Sequence, residues 1–183
     1  NKIEYMNIQD EGGTKEIIKK VTDDIINNLD EVNSIQRTDL PISELIVALQ
    51  CGGSDSYSGI TANPALGFAS DLIVNHGGST ILSETPEIYG AEHLLIARAQ
   101  STDLIKKINN QIQWWKDYTS INGGSLDNNP SPGNKKGGLT TILEKSLGAI
   151  AKSGSSKMIN VLDYSEPLSS KGFNFMNSPG YDP

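Results

Sequence analysis

A chain of 183 residues with 15 basic and 22 acidic side chains carries a net charge of −7 and an isoelectric point near 4.8, a field that repels nucleic acid and anionic membrane surfaces. Hydrophobic residues at 36%, charged residues at 20%, 18 Gly and 8 Pro exclude a wholly disordered chain and an extended coiled coil, and the length suits one domain, residues 1–183, with a real core. The one cysteine, Cys51, excludes an internal disulfide, and no apolar run approaches the roughly 18 residues that cross a bilayer, so the expectation is a cytoplasmic protein without membrane or nucleic-acid partners. Residues 1–10 lack a signal-peptide layout. The chain begins at Asn1 rather than Met and stops in Ser178-Pro179-Gly180-Tyr181-Asp182-Pro183, which reads as a fragment of a longer polypeptide.

Residues 2–8 alternate loosely and suggest a short strand, broken by Gly12-Gly13. Thr14 can cap an amphipathic helix whose apolar positions are Ile17, Ile18, Val21, Ile25 and Leu29. Beyond Pro41, the run Leu45-Ile46-Val47-Ala48-Leu49 is continuously apolar and short, the pattern of a central parallel strand covered on both faces. A loop of small polar residues follows, and Asn63-Pro64 then opens a helix with Asn63 as cap and Leu66, Phe68, Ala69, Leu72 and Ile73 as its buried face, ending at His76-Gly77-Gly78. The grammar repeats: Thr80-Ile81-Leu82 is a strand, and Thr85-Pro86 opens a helix that runs to about Ala99. Two consecutive strand–loop–helix units imply an α/β fold with a parallel sheet, a Rossmann-like three-layer domain.

Ser101 can cap a further helix through Leu104, Ile105, Ile108, Ile112 and Trp115. Residues 118–138 turn to Asn, Gly, Ser, Pro and Lys, a long polar loop of the kind that is usually functional or mobile. Helical spacing resumes through Leu139, Ile142, Leu143, Leu147 and Ile150. Within 157–183, residues 158–162 and 172–176 read as short tail strands of a sheet completed by sequence outside the chain.

In an open parallel sheet, ligands sit beyond the carboxyl ends of the strands. The first such end carries Cys51, Ser54, Asp55 and Ser58 before Asn63; the second carries Glu84 and Glu87. Cys51 can be a metal ligand or nucleophile, though a lone cysteine after a buried strand also serves as a small apolar filler. Glu84 can ligate a metal or exchange a proton, whereas Glu87 at a helix start is also stabilised by the dipole alone. Glycines and polar residues here serve equally as turn-makers and caps. Gly52-Gly53-Ser54-Asp55-Ser56 lacks the last Gly of a nucleophile elbow, and Gly133-Asn134-Lys135-Lys136-Gly137-Gly138 lacks the P-loop spacing, leaving a small-anion loop or an exposed basic loop. His76 and His93 earn no catalytic role from position.

The stretch Gln50-Cys51-Gly52-Gly53-Ser54-Asp55, continued by Ser58-Gly59-Ile60-Thr61-Ala62-Asn63-Pro64-Ala65, resembles the signature of the altronate and galactarate dehydratase family. So do Ser83-Glu84-Thr85-Pro86-Glu87-Ile88-Tyr89-Gly90-Ala91-Glu92-His93, Asp127-Asn128-Asn129-Pro130 and Pro132-Gly133-Asn134-Lys135. The Pro-Glu-Ile-Tyr-Gly-Ala-Glu-His version and the ending Phe175-Met176-Asn177-Ser178-Pro179-Gly180-Tyr181-Asp182-Pro183 are similar to the altronate branch. The resemblance implies a hydro-lyase that dehydrates D-altronate to 2-dehydro-3-deoxy-D-gluconate with a divalent metal, iron(II) or, as the alternative, manganese(II). On that expectation Cys51 and Glu84 are the candidate metal ligands, Asp55 and Ser54 the candidate catalytic residues, for proton transfer or for substrate hydroxyls, and Asn63, Ser58, Lys135 and Asn129 the candidate substrate contacts, Asn63 and Lys135 for its carboxylate. The resemblance also implies longer chains, so the remaining segments of the same enzyme are expected partners, a homo-oligomer is an open alternative, and the fragment alone is expected to be inactive. Galactarate or a sulfonated hydroxy acid is the competing substrate, and a non-catalytic scaffold domain the competing role.

Overall fold

A computed structural model describes residues 5–180, which divide into two compact units at the boundary between Leu40 and Pro41. In the first unit, helix α1 (Thr14–Ser34) has Gly13 rather than Thr14 at its cap position and buries none of its residues. The strand expected over 2–8 is absent where it is described: residues 8–11 form a turn in which Asn7 O accepts from Asp10 N and Glu11 N, and residues 2–4 lie outside the described residues.

The second unit is the Rossmann-like three-layer α/β domain: a parallel sheet of β1 (Ile46–Leu49), β2 (Ser79–Leu82), β3 (Met158–Leu162) and β4 (Phe173–Met176), flanked by helices. Its spatial order is β1-β2-β4-β3, and every pairing is parallel. The expected central strand β1 therefore stands at an edge, with Ile46 exposed and only Leu49 fully buried, while β2 is buried along its whole length. The tail strands are integral, with β4 inserted between β2 and β3, where Phe173 and Phe175 are 0% exposed. Burial of each such ring contributes roughly 1.5–3 kcal/mol, so the tail supplies the centre of the core with Leu82, Ile88, Leu95, Ile108 and Met158.

Helix α2 (Ala62–Asn75) begins one residue before Asn63, which sits buried in its first turn instead of capping it. Its buried residues are Asn63, Gly67 and Ser70, while Leu66, Phe68 and Leu72 are exposed, the reverse of the apolar-face expectation. The reason is steric and polar. A methyl group at Gly67 would run into Ala151 O and come within 2.9 Å of Gly154 N, and Ser70 Oγ donates to Thr80 Oγ1 on β2 at 3.0 Å. A close-packed seam of small residues has won over large side chains.

The helix expected from 86 to 99 is broken into a 3-10 turn, Thr85–Ile88, and α3 (His93–Ile96), separated at Gly90 with φ 86°. Helix α4 (Thr102–Ile121) follows Ser101 and buries Ile108, Gln111 and Ile112. Residues 118–138 are not structureless. After α4 come a 3-10 turn, Leu126–Asn128, and a short α5 (Pro132–Lys136), whose Ser131 and Asn134 form a reciprocal capping box. Helix α6 (Ile142–Ala151) starts with a second capping box, Thr141 with Glu144. No helix among the described residues is long and apolar enough to cross a membrane.

Candidate active site

Parallel, in-register pairing of Leu49 with Leu82 makes the chain leave β1 and β2 side by side. Cys51 and Glu84 consequently meet: Cys51 N donates to Glu84 Oε2 at 2.5 Å, and both residues are buried. Glu84 reaches this position from a left-handed backbone, φ 72°, a conformation that costs a non-glycine residue of order 1–3 kcal/mol. The tail holds it there, since Ser178 Oγ accepts from Glu84 N at 2.7 Å and Ser178 O from Thr85 N at 3.0 Å. Cys51 Sγ lies 2.9 Å from Ser54 Oγ.

Past Ser54 the loop closes on itself through Asp55. Asp55 Oδ1 accepts from Tyr57 N at 2.8 Å and Ser58 N at 2.7 Å, and Ser58 Oγ donates to Asp55 O at 2.9 Å. A cavity of about 270 Å³ opens beside this loop, lined by Ser54, Asp55, Ser58, Asn63, Glu144 and Lys145 among others. Asn63 Nδ2 donates to Gly148 O at 3.0 Å and so ties α2 to α6 across the cavity. Hydrogen bonds from the side chain of Thr140, its backbone N–H and that of Thr141 hold the Glu144 carboxyl below the ordinary range.

The expected residues thus fall into four places. Ser54, Asp55, Ser58 and Asn63 line the cavity, Cys51 and Glu84 adjoin it through Ser54, and Lys135 is exposed on α5. Asn129 lies elsewhere: it is 3% exposed, donates to Glu87 Oε1 at 3.0 Å and accepts from Lys145 Nζ at 2.8 Å. Lys145 was not singled out by sequence reasoning, nor was Glu87 preferred, yet they form an ion pair at 2.7 Å with side chains 0% and 1% exposed. The signal for Lys145 is its register, three residues after Ile142 and four before Ala149 on the buried stripe of α6.

Among the described residues no three His, Cys, Asp or Glu side chains are grouped to hold a metal ion. A thiol and a carboxylate are nonetheless donor types that a borderline divalent cation accepts, so Cys51 and Glu84 fit as a two-donor contribution and not as a whole centre.

The sequence model of the family described as D-galactarate/Altronate dehydratase, C-terminal, matches residues 42–183. A galactarate dehydratase (L-threo-forming) of Escherichia coli K12 is 40% identical over 179 residues, 97% of this chain and 34% of the relative. Altronate dehydratases of Bacillus subtilis 168 and of E. coli K12 are 47% identical over 147 residues and 42% identical over 161, covering 80% and 86% of this chain and 30% and 32% of those proteins. The chain spans about a third of the length of these curated relatives. With the match extending from just before β1 through the end of the chain, the protein belongs to the D-galactarate/altronate dehydratase family, in the part described as its C-terminal domain.

Proposed function

We propose that this domain supplies the carboxyl-edge rim of a cytoplasmic hydro-lyase that converts D-altronate to 2-dehydro-3-deoxy-D-gluconate. The observation that carries the reading is the junction of Cys51 with Glu84 across the ends of β1 and β2, beside a cavity lined by Ser54, Asp55, Ser58 and Asn63. Altronate is preferred over galactarate because the relatives of higher identity are altronate dehydratases, although a galactarate dehydratase aligns over more of the chain.

In the proposed reaction Asp55 takes the proton from C2, the C–H electron pair becomes the C2–C3 double bond, and the C3–O bond breaks as Ser54 relays the proton from Asp55 to the departing hydroxyl, which leaves as water. The enol so formed tautomerises to the 2-keto acid. Asn63 and Ser58 hold substrate hydroxyls at the cavity wall, and Lys135 draws in the carboxylate from the exposed face of α5. Cys51 and Glu84 would hold a divalent cation, iron(II) or manganese(II), together with donors from other segments; such an ion stabilises negative charge that develops on the substrate carboxylate.

The test is metal content and turnover of altronate and galactarate, measured in parallel on the full-length protein and on this 183-residue chain. The expected result is altronate turnover by the full-length protein, loss of both metal and turnover in Glu84→Gln, and negligible turnover by the chain alone. Unchanged metal content and rate in Glu84→Gln would remove Glu84 from the metal, and preference for galactarate would reassign the substrate.

A further inference from the structure

Behind the rim lies a charged pair that the proposed chemistry does not use. Lys145 is among the largest fully buried side chains of the molecule, and among the described residues its ammonium reaches Glu87 Oε1 at 2.7 Å, Asn129 Oδ1 at 2.8 Å and Asn134 Oδ1 at 3.0 Å. Glu87 Oε2 is buried with no hydrogen-bond partner among the described residues, so Lys145 and Asn129, both acting on Oε1, are what hold that carboxylate in the interior.

The contacts close into a circuit. Lys145 holds Asn134 Oδ1 together with the N–H of Ser131, each at 3.0 Å, and Asn134 Nδ2 donates to Ser54 O at 3.0 Å. Ser54 Oγ lies beside Cys51 Sγ, Cys51 N donates to Glu84 Oε2, and Glu84 O accepts from Glu87 N at 2.9 Å, which returns to Lys145. A second strut runs beside it: Ser56 N donates to Gly137 O at 3.0 Å, at the end of the helix that carries Asn134.

We propose that Glu87 and Lys145 are positioning residues that fix the turn after β1 against Glu84 by way of Asn134. The proposal deepens the dehydratase reading and rests on it for its catalytic consequence, but its structural content stands apart: the pair sets the order of segment 51–59. Neither residue touches substrate in this scheme. The directed hydrogen bonds of the ammonium, added to that of Ser131 N on Asn134, restrict where Ser54 and Cys51 sit, and small displacements of reacting groups cost rate steeply.

The experiment uses the full-length protein with Glu87→Gln/Lys145→Met, which removes both charges together, and Asn134→Ala, which cuts the link to Ser54 and leaves the pair. Amide exchange of segment 51–59 is followed by mass spectrometry, with the alkylation rate of the Cys51 peptide by iodoacetamide and with kcat and KM for altronate. In a variant whose circular dichroism remains that of the parent, exchange of 51–59 is expected to rise about tenfold and Cys51 alkylation several-fold. In the same variant kcat falls at least about tenfold with KM changed much less. Should the double variant not fold, Asn134→Ala decides the matter by the same readouts. Exchange or alkylation at the parent rate in a folded variant overturns the proposal. A parent protein that dehydrates no sugar acid defeats the dehydratase reading instead, and leaves exchange and alkylation to judge the positioning pair.

Discussion

Replacing Lys145 by Met tests whether the buried charge pair is an ion pair in energetic terms. The side chains are similar in length, so the substitution removes charge with little change of volume, and it leaves Glu87, 1% exposed, without its cation. A carboxylate stranded in the interior escapes its desolvation cost by taking up a proton, and protonating a glutamate of ordinary acidity costs about 4 kcal/mol at pH 7. That ceiling agrees with the roughly 3–5 kcal/mol seen when one partner of a buried pair is removed. At about 3 °C per kcal/mol for a domain of this size, the midpoint of thermal unfolding should fall by about 10 °C. At pH 5 the same protonation costs only about 1 kcal/mol, so the gap between variant and parent should shrink to about 3 °C. Glu87→Gln/Lys145→Met removes both charges and should lie within about 1.5 kcal/mol of the parent at either pH. Unfolding of the three proteins at the two pH values, followed by circular dichroism, checks each figure. A single variant equally destabilised at pH 5 and pH 7, or a double variant no better than the single, would refute the electrostatic reasoning and leave packing as the cause.

Gly67→Ala should destabilise by about 2 kcal/mol or more, against the usual gain for alanine in a helix, because the new methyl meets Ala151 O and Gly154 N; thermal unfolding reads the sign. Burial alone would raise the Asp71 carboxyl, but hydrogen bonds from the side chains and backbone N–H groups of Ser156 and Ser155 outweigh it and hold it below the ordinary value of 3.8. Its stabilisation is therefore complete above that unfolded value and is lost as pH falls through the lower folded one. Asp71→Asn should cost about 1–2 kcal/mol at pH 7, limited by solvent screening, with the gap closing as the pH is taken below 3.8 in unfolding titrations. Thr141→Ala removes the oxygen that accepts from Glu144 N at 3.3 Å and should cost about 1 kcal/mol, visible as faster amide exchange in the first turn of α6.

Much of the fold is legible in the sequence because two strand–loop–helix units follow one another, and their parallel pairing is what brings Cys51 to Glu84. What escapes is whatever depends on neighbours distant along the chain. The place of β4 between β2 and β3 is not written in Phe173, Asn174 or Phe175; those residues say buried strand, and only the competition for the sheet centre puts β1 at the edge. The inverted face of α2 follows from Gly67 admitting a carbonyl from α6, a contact no periodicity of large residues can signal. Residues 118–138 look like loop by composition because their order comes from caps and amides, Ser131 with Asn134 and Asn129 with Lys145, rather than from apolar side chains. Site roles inherit the same limit: Asn129 reads as a substrate contact from sequence, which does not show the lysine that its side chain accepts from.

The two glutamates of the rim show how three residues of separation create different chemistry. Glu84 extends from a left-handed turn to the backbone of Cys51 at the strand ends, whereas Glu87 turns into the core and meets Lys145. Stability alone does not explain the second arrangement, since a pair of well-packed apolar side chains of similar volume would be as stable or more so. Methyl groups, however, have no preferred acceptor. They would fill the space behind the cavity while leaving the amide of Asn129 without its lysine and the oxygen of Asn134 with the N–H of Ser131 but no ammonium, and so a looser anchor for Ser54. The ammonium of Lys145 demands acceptors in three directions, and meeting that demand turns both amides one way. A charge placed where it costs stability is thus accounted for by what it orients. The double variant, with the core filled and the charges gone, separates the two: its unfolding midpoint should stay near that of the parent while the order of the Cys51 loop is lost.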